Sequence, residues 1–170
     1  MYILTRWPLP RMKYPLVQRL LLYSKSAQVR SYVAQMLGEV GDAQAVQPLI
    51  QALQDVDSTV RRFAISSLGK LRDVRAVEPL IIFLKDDEPD MRCAAAIALG
   101  DLRDTRSVEP LIAMLRDSDR SVGSATIIAL GKIGDRQAVE PLEALARTTS
   151  SEWLRRYASE SLHQIQEHEA

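Results

Sequence analysis

A repeat of 31 residues is the feature of this sequence that most constrains its fold. The motif Val-x-Pro-Leu recurs at this step, with its proline at Pro48, Pro79, Pro110 and Pro141. A Leu-Gly pair keeps the same step at Leu37-Gly38, Leu68-Gly69, Leu99-Gly100 and Leu130-Gly131. Self-similarity at a period of about 20 to 50 residues is typical of arrays in which each unit packs only on its neighbours.

Two apolar stripes with the helical period fill each repeat. The first stripe of one repeat comprises Val46, Leu49, Ile50 and Leu53, at i, i+3, i+4 and i+7. The second comprises Val60, Ala64, Ser67, Leu68 and Leu71. Neither stripe alternates as a half-buried strand would. The sequence therefore predicts an all-α protein, an α-α superhelix of about five helix pairs.

Turn-forming residues divide the two stripes at regular positions. Aspartates that could cap the first helix of a pair recur at Asp42, Asp73, Asp104 and Asp135. Asp57, Pro89 and Asp119 precede or begin the second stripe. The glycine near the end of each second helix is costly in isolation. Its recurrence predicts that a neighbouring helix packs against the backbone there.

The chain is predicted to form a single solenoid over residues 1–170. Residues 1–10 are an N-terminal extension, and the repeats span approximately 11–41, 42–72, 73–103, 104–134 and 135–168. The outer repeats depart from the pattern, with Lys13 in place of a valine and Glu143 in place of an isoleucine. Such ends are expected in a stacked array, because terminal units must cover its apolar faces.

The repeat motif resembles the HEAT family, and specifically the short HEAT-like repeats named after phycobilisome lyases. The resemblance rests on Pro-Leu-Ile in the first helix, on an aspartate near its end and on Val-Arg opening the second helix. These aspartates are Asp55, Asp86 and Asp117, and the arginines are Arg30, Arg61, Arg92 and Arg155. The resemblance implies a right-handed superhelix with second helices lining the concave face, and a ladder of Asp and Arg between repeats.

Gly123 interrupts the arginine series that this resemblance implies. We expect the missing side chain to leave Asp86 and Asp117 with one cationic neighbour fewer. We also expect a local opening or bend between the third and fourth repeats, where the arginine is missing.

The residue types that catalysis or metal binding requires are not arranged in any recognisable motif. His163 and His168 are five residues apart and so do not share a helical face. Cys93 could have its pKa lowered by Arg92 and the helix N-terminus, although a small packed cysteine is the favoured interpretation. We therefore predict no catalytic residues, no metal and no cofactor, and we favour a non-enzymatic role.

Charge and hydropathy restrict the partners and the compartment. The 22 basic and 22 acidic residues cancel, which argues against nucleic-acid binding, and no apolar run is long enough to span a membrane. The single cysteine suits the cytoplasm. Residues 1–30 nevertheless hold six basic residues and no acidic one, and this end is either a solvated helix or a docking site for an acidic partner.

Second-helix positions outside the packing stripes are free to bind a partner. We predict a concave-face site comprising Tyr32, Phe63, Ser66, Lys70, Ala94, Ile97, Asp101, Ile128, Lys132 and Tyr157. These residues suggest a shallow apolar trough bounded by aromatic side chains, with charges alternating along one edge. The alternative is that they pack between repeats, if the facing is misassigned by one position.

Two functions fit this pattern. The first is an interaction scaffold that binds a helix or an extended segment of another protein on the concave face. The second follows from the resemblance: a subunit of a phycobilin lyase or chaperone that acts on a phycobiliprotein together with a partner subunit. Nucleic-acid binding is a weaker third reading, supported only by the basic N-terminal segment.

Overall fold

The protein is a stack of antiparallel helix pairs, seen in a computed structural model that describes residues 14–168. The helices are α1 Tyr14–Tyr23, α2 Ala27–Val40, α3 Val46–Ala52, α4 Ser58–Leu71, α5 Val77–Ile82, α6 Pro89–Leu102, α7 Val108–Met114, α8 Arg120–Ile133, α9 Val139–Thr148 and α10 Glu152–His168. Odd-numbered helices are the first of each pair and even-numbered helices the second. The predicted all-α superhelix of about five helix pairs is confirmed.

A short 3₁₀ turn precedes each first helix from α3 onward. These turns are Ala43–Ala45, Val74–Ala76, Thr105–Ser107 and Arg136–Ala138. The recurring aspartate accepts a hydrogen bond from the backbone N–H two residues later, as between Asp42 and Gln44 at 2.8 Å. The aspartates therefore cap the 3₁₀ turn that leads into the helix and not the helix itself.

The second helices begin at the predicted positions. Asp57 Oδ1 accepts from the N–H groups of Thr59 and Val60, and Asp119 caps α8 in the same way. In α6, Pro89 occupies the first turn, where a missing N–H costs nothing. Local sequence thus determines where each of these helices starts.

One continuous core runs along the stack between the two layers of helices. Val46 and Leu49 of the first stripe, and Val60, Ala64 and Leu68 of the second, are all fully buried. The equivalent residues of the third and fourth repeats are buried in the same way. Burial of apolar area at each step is what joins the repeats.

The recurring glycines let the second helices approach each other closely. A Cβ atom on Gly69 would lie 2.8 Å from Ala98 Cα, and one on Gly100 would lie 2.7 Å from Ala129 Cα. The predicted packing of a neighbouring helix against these glycines is confirmed. From α3 onward the first helices meet their neighbours mainly through the 3₁₀ turns. The second helices therefore form the more closely packed layer, which is the layer that the HEAT resemblance assigns to the concave face.

Apolar side chains remain exposed at the N-terminal end of the described stack. Leu16, Leu20 and Tyr23 lie one or two turns apart on α1 and are all exposed. The expectation for residues 1–10 lies outside the described residues. None of the helices in the described range is long and apolar enough to cross a membrane.

Candidate functional site

The second helices carry all ten predicted site residues. None of the ten is buried, and three large apolar or aromatic side chains among them are distinctly exposed: Tyr32 at 62%, Ile97 at 48% and Ile128 at 38%. The residues that precede them in the chain, Ala96 and Ile127, are fully buried. This contrast places Ile97 and Ile128 on the surface of the stack and not between its repeats.

Two adjoining hollows form a groove across α4, α6 and α8. The first, of about 480 Å³, holds Ser66, Lys70, Ala94, Ile97 and Asp101 of the predicted set. The second, of about 220 Å³, holds Ile128 and Lys132. Cys93 and Ile97 line both hollows, which joins them into one surface.

Three predicted residues lie away from the two hollows, and two charged residues that line the larger hollow were not in the predicted set. Tyr32, Phe63 and Tyr157 line neither hollow. Arg62 and Asp90 both line the larger one. Arg62 precedes Phe63 in the same free stretch of its helix, so sequence position could have found it. Asp90 lies in an acidic turn, where nothing in the sequence distinguishes it from its neighbours.

The charges along the groove are partly neutralised. Lys132 Nζ lies 2.7 Å from Asp101 Oδ1 and joins α8 to α6, and the Gln35 amide donates to Glu39 Oε1 at 3.1 Å. Lys70 is exposed, and no carboxylate in the described part of the chain lies within 4 Å of its amine. The alternating row predicted from the sequence is therefore one ion pair and one lysine with no ion-pair partner.

Arginines of the same helices cover two of the predicted aromatic anchors. The Arg62 guanidinium lies 5.1 Å from the Phe63 ring centroid, and that of Arg156 lies 5.5 Å from the Tyr157 ring centroid. Both contacts are within the range of cation–π attraction. Phe63 and Tyr157 therefore support guanidinium groups, and Tyr32 is the most open of the three predicted aromatic residues.

Cys93 lies in the floor of the groove with its thiol turned toward a backbone carbonyl. Its Sγ is 3.8 Å from Ser121 O. Burial, together with the carboxylates of Asp119 and Asp90, raises the pKa of the Cys93 thiol. The thiol is therefore protonated at neutral pH and a poor nucleophile, which favours the packed interpretation over the reactive one.

An arginine–aspartate ladder connects successive repeats on the other side of the second helices. Arg30 binds Asp55 through Nε at 2.6 Å and Nη2 at 2.8 Å, and Arg92 binds Asp117 at 2.8 and 3.0 Å. The remaining Nη1 of Arg92 donates to Asp86 O in the loop of its own repeat. Each arginine thus clamps its own loop to that of the following repeat.

The guanidinium groups hold the pKa of both partner carboxyls below the ordinary value. For Asp55 the main cause is the hydrogen bond from Arg30, and for Asp117 it is the hydrogen bond from Arg92. Burial opposes the shift in both cases without reversing it. Both carboxylates therefore stay charged at a lower pH than an unpaired aspartate would.

Two ladder arginines have other partners. Arg61 donates to the carbonyls of Asp55 and Val56 and lies 3.5 Å from Glu88 Oε1, without an ion pair to Asp86. Arg155 donates to the carbonyls of Ala146 and Thr149 in its own repeat. The Arg–Asp ion pair between repeats therefore forms in only some repeats. The hydrogen bond from the arginine to a backbone carbonyl of the loop before its own helix recurs in all four.

The expected effect of Gly123 on Asp86 and Asp117 is wrong. Each arginine pairs forward, with an aspartate 25 residues later, so Asp117 has its full partner in Arg92. The position 25 residues after Gly123 is Thr148, whose hydroxyl donates to Ala144 O in its own helix. Both members of the pair are thus replaced between the fourth and fifth repeats, and no atom lies within 4 Å of where a Gly123 Cβ would be.

A different contact joins the fourth and fifth repeats at this point. The Arg120 guanidinium lies 4.1 Å from the Trp153 ring centroid, and Trp153 meets Tyr157 edge-on at 5.9 Å. Here a cation–π pair links α8 to α10. It lies one turn before the gap at Gly123.

Candidate metal ligands do not gather anywhere in the described range. No group of three or more His, Cys, Asp or Glu residues within residues 14–168 could hold a metal ion. The His163 ring lies 3.2 Å from Glu167 on the same helix. Its surroundings are those of an exposed i, i+4 pair.

The geometry described so far defines an α-solenoid with an open concave groove. A sequence profile of HEAT repeats matches residues 15–89 and 77–163, which together span most of the chain. The chain belongs to the HEAT-repeat family. No match to the sequence was found among curated proteins.

Solved structures with the same fold include natural and designed repeat proteins. The complex of CpcE and CpcF of phycocyanin lyase from a Nostoc species contains a chain 26% identical to this one, with a TM-score of 0.78 over 98% of this chain and 71% of that one. An engineered protein is 23% identical, with a TM-score of 0.69 over 89% and 79%. A designed armadillo repeat protein in complex with a (KR)4 peptide is 17% identical, with a TM-score of 0.65 over 88% and 80%.

Proposed function

We propose that this chain is a protein-interaction module that binds its partner in the concave groove. The observation that carries the proposal is the pair of exposed isoleucines, Ile97 and Ile128, at equivalent positions of adjacent repeats. Large apolar side chains exposed side by side on a regular scaffold are typical of binding surfaces. The hollows around them give the pair a concave setting.

The surroundings of the isoleucines have the anatomy of an interface. An apolar centre is bordered by Arg62, Lys70 and Asp90, and by the Lys132–Asp101 ion pair. Interfaces concentrate their binding energy in such centres, while the polar rim excludes water and sets specificity. We place this module in the reducing cytoplasm, where its one cysteine needs no partner.

Purification of the protein with its partner from the native host tests the proposal. Three baits are compared: wild type, Ile97→Asp/Ile128→Asp, and Ile82→Asp. Ile82 is 71% exposed on α5, a first helix outside the groove, and is the matched control. Wild type and Ile82→Asp should retain the same partner by mass spectrometry, and the double groove variant should lose it. Equal retention by all three baits would place the binding site elsewhere.

A subunit of a phycobilin lyase or chaperone is the second candidate function. It is favoured by the likeness to the CpcE–CpcF structure, which extends over 98% of this chain. In this case the repeats are of the phycobilisome-lyase type, and a second subunit completes the active complex. The chain would be mixed with bilin, an apo-phycobiliprotein and a candidate partner subunit. A shifted bilin absorbance that depends on this chain is expected, and an unchanged spectrum would remove this candidate.

A further inference from the structure

We infer that the occupant of the groove is an α-helix with an apolar stripe and an acidic end, and that this end lies against α4. The inference rests on the proposed interaction function and names the class of its partner. Three properties of the groove carry it: the lack of hydrogen-bonding groups in its floor, the spacing of its isoleucines and the location of its unpaired cations.

The floor of the groove offers little for a partner backbone to bond. Its apolar lining is Ile97, Ile128, Ala94 and Ala125, and the Cys93 thiol is directed at Ser121 O. The hydroxyls of Ser66 and Ser121 also line the two hollows, but they are too few to pair the backbone of an extended segment. The nearby Ser124 hydroxyl donates to carbonyls of its own helix, at 3.0 and 3.1 Å. An extended segment on this floor would bury unpaired backbone groups, at about 1–3 kcal/mol each. A helix bonds its own backbone and avoids that cost.

The spacing of the isoleucines matches the repeat of a helix lying along the groove. Ile97 and Ile128 occupy equivalent positions on α6 and α8, and the axes of two helices in contact are ordinarily about 8–10 Å apart. Seven residues of an α-helix advance about 10.5 Å. Apolar side chains seven residues apart on the partner can therefore contact the two isoleucines in turn.

Two cations without ion-pair partners lie at the α4 end of the groove, whereas the unpaired cation of α8, Arg120, lies over the Trp153 ring. Arg62 and Lys70 line the larger hollow from α4. The hollow also holds two carboxylates: Asp101 is paired with Lys132, and Asp90 is not paired with a lysine. Toward the other end, Arg156 pairs with Glu160 at 3.4 Å, and Lys132 pairs with Asp101. Beyond α4, Gln35 and Glu39 bond to each other on α2. A negative charge on the partner helix therefore complements these cations if it lies over α4, about seven residues beyond the apolar contacts.

A displayed library of random 24-residue peptides tests this inference. Peptides are selected on the wild-type chain and depleted on Ile97→Asp/Ile128→Asp, so that only groove-dependent binders remain. The expected sequences carry apolar residues seven apart, with helical spacing between them, and Asp or Glu seven residues beyond. Circular dichroism first checks that the double variant keeps its helicity, and Ile97→Ser/Ile128→Ser replaces it if it does not.

Each outcome of the selection has a distinct meaning. Groove-dependent peptides with alternating apolar residues or internal prolines would overturn the helix and leave the interaction function in place. Helical binders without acidic residues would overturn the charge assignment. The absence of any groove-dependent binder would overturn both this inference and the proposed function.

Affinities of one selected peptide then test the contacts individually. By fluorescence anisotropy, Ile97→Asp should weaken binding at least tenfold, as expected for the centre of an interface. Lys70→Glu should weaken it about fivefold, and less at high salt because the contact is electrostatic. Ile82→Asp should change it less than about twofold, because this residue lies outside the groove. A loss with Ile82→Asp equal to that with Ile97→Asp would contradict the assigned site.

Discussion

The step from the third repeat to the fourth and the step from the fourth to the fifth are built differently. Arg92 and Asp117 join the first of these steps through two charged hydrogen bonds, with 13% and 8% of their side chains exposed. Gly123 and Thr148 occupy the equivalent sequence positions at the second, where Thr148 still belongs to α9 and Arg120 lies over the Trp153 ring. Both members of the ion pair are replaced together, so neither is left buried without its partner. The comparison teaches that this solenoid can exchange one inter-repeat link for another while keeping its core.

Of the changes to these two contacts between repeats, removal of Arg92 should reduce the stability of the protein most. Arg92→Ala leaves the Asp117 carboxylate without its partner and frees the Asp86 carbonyl. We expect a larger loss in the free energy of unfolding than for any of the variants below, because Asp117 is left 8% exposed without its charged partner. Urea denaturation measures it. Arg155→Ala, which breaks only bonds within one repeat, is the control and should cost less.

Acid should weaken the same step by protonating Asp117. Its pKa is lowered in the folded chain by Arg92, so the pair stabilises the fold above the unfolded-state pKa of about 3.9. That contribution is lost as the pH falls below this value and through the lowered folded pKa. Asp117→Asn should therefore flatten the dependence of stability on pH below about pH 4. Asp87→Asn, which changes an exposed carboxylate, should retain it.

An Arg–Asp ion pair should also form between the fourth and fifth repeats if both residues are introduced there. In a double-mutant cycle, Gly123→Arg and Thr148→Asp should show a favourable coupling of about 1–2 kcal/mol in the free energy of unfolding. Gly123→Ala separates out the gain in helix propensity, about 1 kcal/mol, because nothing lies near its Cβ. Purely additive effects would mean that a carboxylate at position 148, in the last turn of α9, does not reach α8 as the loop residue Asp117 reaches α6.

Removal of Arg120 should have the smallest effect. Arg120→Ala loses the contact with the Trp153 ring, and exposed cation–π pairs contribute about 0.5–1 kcal/mol. Differential scanning calorimetry measures the change, with Arg120→Lys retaining part of the contact. A loss as large as that of Arg92→Ala would show that the two links carry equal weight.

Much of the fold and part of the groove could be predicted from the sequence. Gly69 and Gly100 indicated close helix contacts because their cost has to be offset at every repeat. Ile97 and Ile128 were recognised as surface residues because they fall outside both apolar stripes. Phe63 and Tyr157 were expected to be open anchors, but an arginine on the same helix covers each of them. That coverage depends on side-chain conformation, which no periodic pattern encodes.

The sequence by itself determined the period, the two stripes and the starts of the helices, because these depend on residues within one or two turns of each other. Only the tertiary structure decided that Arg92 pairs with Asp117, that Lys132 pairs with Asp101 and that the Cys93 thiol stays protonated. Those outcomes depend on distances between groups 25 to 31 residues apart and on their burial. The stacking of one repeat on the next sets both, since charge interactions act through space and not along the chain.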